Sequence, residues 1–312
     1  MDRRFVLTLA AALTAMAVPL AAAAYPWPVK PFDRQHPIRG NFGDPRTMRG
    51  TVDLQWDNPL SFHSGVDVQA VDGTPVYAVE SGEVVADSGR HIAVASGGLS
   101  LVFGYWHVDG VVPSGQYVGR GQLLGYVHPG AGHVHLSERR FGRYMNPLRR
   151  GGLAPYVDHT RPVVDRLEIY RTGTDHMLSP NFVSGSVDLA VEAYDPASMR
   201  PTGAWSGAVV SPARITWSGL FAGPWLPLSY RAEAVDFSRL PDRPVRSVYA
   251  PGTRQNEAGT PGAYRFWLVR NLDTSLLADG PKAIRVVAAD IRGNRTVATF
   301  RFKVGDASNA PN

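Results

Sequence analysis

The chain has no cysteine in 312 residues. That absence removes a disulfide scaffold, a thiol nucleophile and any Cys-based zinc knuckle. A dense run of Lys or Arg is also lacking. Lys and Arg number 32 against 27 Asp and Glu, a net charge of +5. This mild excess suits an anionic polymer surface such as a cell wall but carries no nucleic-acid footprint. Long helical periodicity is missing as well. With 32 Gly, 25 Pro and 44% hydrophobic residues, the composition favours short strands joined by turns around real cores. No H-E-x-x-H, no G-x-S-x-G and no P-loop Lys-Ser/Thr occurs, which excludes three common catalytic frameworks.

What is present begins with "MDRRFVLTLAAALTAMAVPLAAAAYPWPVK". Arg3 and Arg4 precede an apolar run from Phe5 to Leu20 and then A-x-A sites. The run is short against the ~20 apolar residues of a spanning helix, so residues 1–24 read as a secretory signal peptide. Export follows, to a periplasm or to the cell exterior, with no stable membrane insertion after cleavage. Residues 25–37 form a Pro-rich lead-in. From 38 to 148 strand follows strand, with a hairpin signal at Ser96-Gly97-Gly98. Residues 149–162 are a turn-rich linker, of the kind readily nicked by proteases. Seven alternating segments between 163 and 306 suggest an immunoglobulin-like β-sandwich, and 307–312 a loose tail. Within the sandwich, "VEAYD" (Val191 to Asp195) and "VVAAD" (Val286 to Asp290) resemble each other and read as two similar strand ends. The fold class expected is therefore all-β, an antiparallel sheet domain followed by a sandwich. A fragment from Tyr25 to about Pro155 is expected to fold alone.

Six of the nine histidines lie between His63 and His135. In "GHVHLSE", period-two alternation turns His133 and His135 to one face and sends Glu138 to the other. "FHSGVDVQA" places His63 four residues before Asp67. Fully extended, four residues span roughly 13 Å, so a bend at Ser64-Gly65 is needed to bring the pair together. "GYWHVD" adds His107 at a strand end. The pool is then His63, Asp67, His107, His133 and His135. Three of these suffice for a catalytic zinc site that keeps one position for water, and the other two histidines are free to handle protons. A cupin-like barrel also uses H-x-H, but near its start, whereas here the pair closes the domain.

These residues resemble the lysostaphin/LytM-type zinc endopeptidases. "HSGVDVQAVDGTPVYAVESGEVV" is similar to the H-x-G-x-D signature with its following G-T-P-V-x-A. "YWH" resembles Y-x-H, "VGRGQLLG" the G-Q-x-x-G turn, "HVH" the H-x-H and "GNFGDPR" the opening F-G-x-R. The likeness covers about His36 to Leu148. It implies one Zn²⁺ per chain on His63, Asp67 and His135, with His107 and His133 catalytic. It also implies a groove on a small antiparallel sheet, and peptidoglycan as the partner, cut in its cross-links or stem peptides. Two departures stand out: Leu136 and then Ser137 follow the H-x-H where the family has an aromatic residue and then Glu, with Glu138 one residue later, and "HPGAG" replaces a T-G-rich approach. Some relatives have lost their ligands and act as regulators; the alternative function is such a wall-binding or regulatory protein with a vestigial site. This chain keeps all five positions.

Overall fold

In a computed structural model, residues 24–46, 61–222 and 227–305 are described. The expected signal peptide, apart from Ala24, and the expected tail from 307 onward lie outside them. Among the described residues no helix is long and apolar enough to cross a membrane.

The first unit is built on an antiparallel sheet. Its main strands are β1 (Ile38–Gly40), β2 (Gly65–Gln69), β3 (Gly82–Asp87), β4 (His91–Ser96), β5 (Leu101–Trp106) and β6 (His133–Arg140). Their order across the sheet is β1-β2-β6-β5-β4-β3. The long strand β6 lies between β2 and β5, and both of its faces are covered. Alternation sends Val134 and Leu136 into a core with Val66, Val68, Ile92, Val94, Phe103 and Tyr105, all buried. Each such side chain contributes about 1.5–3 kcal/mol on burial. His133 and His135 take the opposite face. The hairpin expected at Ser96-Gly97-Gly98 joins β4 to β5.

Glu138 points to the core side, as alternation requires. There it is fully buried and accepts from Tyr25 Oη, from Arg140 and from both Nη atoms of Arg149 at 2.5 and 2.6 Å. Tyr25 thus pins the lead-in to β6. Trp27, also buried, donates to the Pro155 carbonyl at 2.7 Å, and Tyr25 forms a bridge to Leu153. Lead-in and linker are therefore packed structure on the side of the sheet away from the histidines.

The second unit holds β7 (Val163–Arg171), β8 (Ser186–Pro196), β9 (Arg214–Ala222), β10 (Pro227–Asp236), β11 (Arg265–Asp273), β12 (Gly280–Ala289) and β13 (Arg295–Val304). These are the seven segments expected from the sequence. One sheet pairs β8 with β7, with β11 and with the short strand Val209–Val210; the other runs β10-β9-β12-β13. The two antiparallel sheets bury their facing sides in one core, a sandwich in keeping with the immunoglobulin-like type. That core is continuous with the core of the first unit.

The join between the units is close. Phe62 packs on Phe237 and Tyr249, with ring centroids 5.7 and 6.1 Å apart. Gly43 has φ 88, and a Cβ there would lie 2.5 Å from the Phe237 ring, so both the backbone and the space require glycine. The buried Asp44 carboxylate accepts from Asn41 N at 2.7 Å and from Ser211 N at 2.9 Å. Tyr249 Oη donates to the Gly43 carbonyl at 2.8 Å. The sandwich thus grips the loop that precedes the histidine site.

Candidate metal centre

Cross-strand register builds the site. Asp67 on β2 lies directly opposite His135 on β6, which in turn lies opposite Trp106 on β5. His63 precedes β2, with Ser64 between them. A Cβ at Gly65 would meet the Leu136 carbonyl at 2.2 Å, so only glycine lets the chain pass that close to β6. The two side chains meet across the gap that a fully extended chain would leave. His63 Nε2 lies 3.0 Å from Asp67 Oδ1 and 2.7 Å from His135 Nδ1, and His135 Nδ1 lies 3.2 Å from Asp67 Oδ1.

The hydrogen bonds around this trio fix what it offers. His63 Nδ1 is 2.7 Å from the Asn41 carbonyl, which only accepts, so Nδ1 carries the proton and Nε2 presents a lone pair. Burial, together with the nearby Arg46 charge, pushes the His63 pKa down to about 3, so the ring is neutral. Burial opposes ionisation of Asp67, but the Arg46 guanidinium paired with it outweighs this and the carboxyl is held well below the usual range. Arg46 Nη2 meets Asp67 Oδ2 at 2.5 Å, leaving Oδ1 for the trio. Neutral nitrogen, carboxylate oxygen and a second imidazole nitrogen all face one point. Three acceptors converging in a buried place call for a cation, and two imidazoles with one carboxylate are a donor set that fits Zn²⁺. The carbonyl behind His63 is the outer partner such ligands commonly have.

His107 and His133 stand beside the trio. His133 Nε2 is 3.5 Å from Asp67 Oδ1, and the His107 and His133 rings are 4.4 Å apart between centroids. His107 has φ 65, a left-handed conformation that costs a non-glycine residue about 1–3 kcal/mol. Its carbonyl accepts from His128 N at 2.8 Å, which holds the turn. Enclosure by the groove walls, with the His133 ring beside it, pushes the His107 pKa down to about 4. All five residues found in the sequence line one groove, with Trp106, Tyr144, Arg39 and Arg46 around them.

Sequence reading gave no role to several groups at this site. Arg46 sat in the quoted "GNFGDPR", yet its pairing with Asp67 depends on Pro45–Arg46 pairing with Ser61–Phe62, just ahead of His63. Arg39 Nη2 reaches His133 Nδ1 at 2.5 Å and the Ala131 carbonyl at 2.9 Å. Its guanidinium lies over the Trp205 ring, 4.3 Å from the centroid. Asn256 donates to the Arg39 carbonyl at 3.2 Å. Trp205, Gln255 and Asn256 belong to the second unit and form one wall of the groove. No local signal in the sequence announces them.

A β-sheet groove in which two histidines and an aspartate converge beside two further imidazoles defines the class of a metal-dependent hydrolase domain. Residues 61–147 match the sequence model of Peptidase family M23. Several solved structures are similar to the chain over part of its length. A zinc containing peptidase from Vibrio cholerae shares 23% identity over 40% of this chain and 39% of that one, with a TM-score of 0.32. Csd3 from Helicobacter pylori shares 21% over 36% of this chain and 32% of its own, with a TM-score of 0.27. The catalytic domain of lysostaphin from Staphylococcus simulans shares 22% over 34% of this chain and 80% of its own, with a TM-score of 0.28. The likeness thus spans well under half the length of the first two. No curated protein sequence matches the chain.

Proposed function

We propose that the protein is an exported zinc-dependent endopeptidase that hydrolyses peptide bonds in the cross-links or stem peptides of peptidoglycan. The observation that carries this reading is the convergence of His63 Nε2, Asp67 Oδ1 and His135 Nδ1, none more than 3.2 Å from another, inside an open groove. These three residues would hold the metal. Zn²⁺ bound there supplies Lewis acidity, which makes water nucleophilic near neutral pH and polarises a carbonyl.

The chain's own residues do the rest. Asp67 stays ionised because Arg46 holds its second oxygen. His107, neutral at pH 7, is able to accept a proton at its ring nitrogen as water attacks the scissile carbonyl. His133 Nδ1 accepts from Arg39, so the ring is held with its Nε2–H toward Asp67 and the groove. That N–H stabilises the developing oxyanion by hydrogen bonding, and the proton His107 took from water passes to the leaving amine. Trp106, Tyr144 and Trp205 wall the groove and position a peptide strand against these groups.

Digestion of purified peptidoglycan, with mass spectrometry of the new termini, tests the reading. The expected products carry new peptide amino and carboxyl ends, and His133→Ala yields almost none. Cleavage confined to glycosidic bonds would refute it.

A further inference from the structure

A second buried cluster lies outside the groove. Asp158 comes from the segment that enters the second unit, Asp195 from the end of β8, and Asp290 from the turn after β12. One carboxylate oxygen from each lies within 4.8 Å of the others. All three are buried, at 8%, 3% and 6% exposure. Asp195 and Asp290 close the two similar strand ends, "VEAYD" and "VVAAD".

Two of the three are pinned by donors. Asp158 Oδ1 accepts from Thr160 N and Oγ1 at 2.9 and 2.5 Å, and its Oδ2 from Tyr156 Oη at 3.1 Å. Asp290 Oδ1 accepts from the backbone N–H groups of Arg292, Gly293 and Asn294 at 2.8, 2.6 and 2.9 Å. Asn294 Nδ2 joins Asp290 Oδ2 at 2.6 Å to the Asp158 carbonyl at 2.9 Å. Asp195 differs. Its buried Oδ1 has no partner. Arg292 is the nearby cation, but its guanidinium lies over the Tyr156 ring at 4.9 Å, and among the described residues it forms no ion pair with the three. Burial and the two neighbouring carboxylates push the Asp195 carboxyl up to about 9.

An unpartnered buried carboxylate facing two fixed ones is costly unless something positive or a proton sits between them. The donors are all oxygen, which selects a hard cation over Zn²⁺. Oxygens no more than 4.8 Å apart are within reach of one Ca²⁺ that binds each at about 2.4 Å. We propose that Asp158, Asp195 and Asp290 form a structural Ca²⁺ site that fastens the entering segment to the end of the sandwich. Nothing in it depends on the proposed peptidase activity.

The test is a Ca²⁺ titration of the full chain, followed by thermal unfolding and by calorimetry at fixed temperature, in wild type, Asp195→Asn and His135→Ala. Saturating Ca²⁺ is expected to raise the wild-type Tm by about 5 °C, with one Ca²⁺ bound per chain. His135→Ala, whose histidine site is broken, should keep that response. Asp195→Asn should lose it, while its cation-free Tm stays close to the wild-type value because a neutral amide replaces a carboxyl that burial already keeps protonated. Calorimetry on the wild type alone decides the matter if the variant does not fold. No heat of Ca²⁺ binding to the wild type would mean that a proton, not a cation, holds the cluster. An equal response to Mg²⁺, or a response that survives Asp195→Asn, would overturn the Ca²⁺ assignment too.

Discussion

Two buried clusters, each offering three ligand atoms, differ in almost everything else. His63, Asp67 and His135 bring two nitrogens and one oxygen, with Arg46 balancing the aspartate. Asp158, Asp195 and Asp290 bring oxygen only, with no ion-pair partner among the described residues. The first cluster opens on a groove and has His107 and His133 to spare for protons. The second is closed and has no such group beside it. Donor type selects the metal, and access together with spare bases separates a catalytic centre from a structural one. Counting ligands alone would miss that difference.

The largest effect expected is on the first cluster. Asp67→Ala removes a ligand and leaves Arg46 unpaired, and turnover of a soluble cross-link peptide should fall to background. Asp195→Asn should leave that turnover essentially unchanged when assayed in the same way. Equal losses in both would collapse the distinction between the clusters. Next comes His133→Ala, which should lose ~10²–10⁴ in turnover while zinc stays bound. Loss of zinc in that variant would make His133 a ligand and redraw the first cluster.

A smaller effect concerns the join. Phe237→Ala opens the contact with Phe62 and Gly43 and should cost about 3–5 kcal/mol of unfolding free energy in denaturant titrations. The site and the sandwich should unfold together, because one core serves both. The same contacts bear on the fragment from Tyr25 to Pro155. It would expose Phe62 and leave Asp44 without Ser211, so we expect it to be less stable than the full chain and to hold zinc more weakly. The smallest effect expected is that of Trp205→Ala. Removing a stacking contact worth about 1 kcal/mol should lower turnover roughly fivefold through Arg39 and His133. Zinc content should not move, and no change in turnover would leave Trp205 a bystander.

The sequence made the strand-borne part of this molecule legible. Period-two alternation put His133 and His135 on one face and Glu138 on the other, and β6 follows that rule. The meeting of His63 with Asp67 was readable as a requirement, because a fully extended chain would keep them apart. Seven sandwich strands were visible from their alternation and turn residues. Side chains that meet across the join were not. Arg39 and Trp205 are far apart in the chain, as are Asp44 and Ser211, and no local period links them. The acidic cluster was hidden for the same reason: Asp158, Asp195 and Asp290 each read as an ordinary turn or strand-end aspartate. The Pro-rich lead-in looked like loose extended chain, yet Tyr25 and Trp27 are buried, because Glu138 and the Pro155 carbonyl give their polar atoms partners.

The central claim is that the histidine cluster is the zinc centre and the acidic cluster is not. Zinc analysis of the purified full-length protein tests it most directly, in wild type, Asp67→Ala and Asp195→Asn. One zinc per chain is expected in the wild type and in Asp195→Asn, and far less in Asp67→Ala. Full zinc occupancy in Asp67→Ala, or its loss in Asp195→Asn, would contradict the claim.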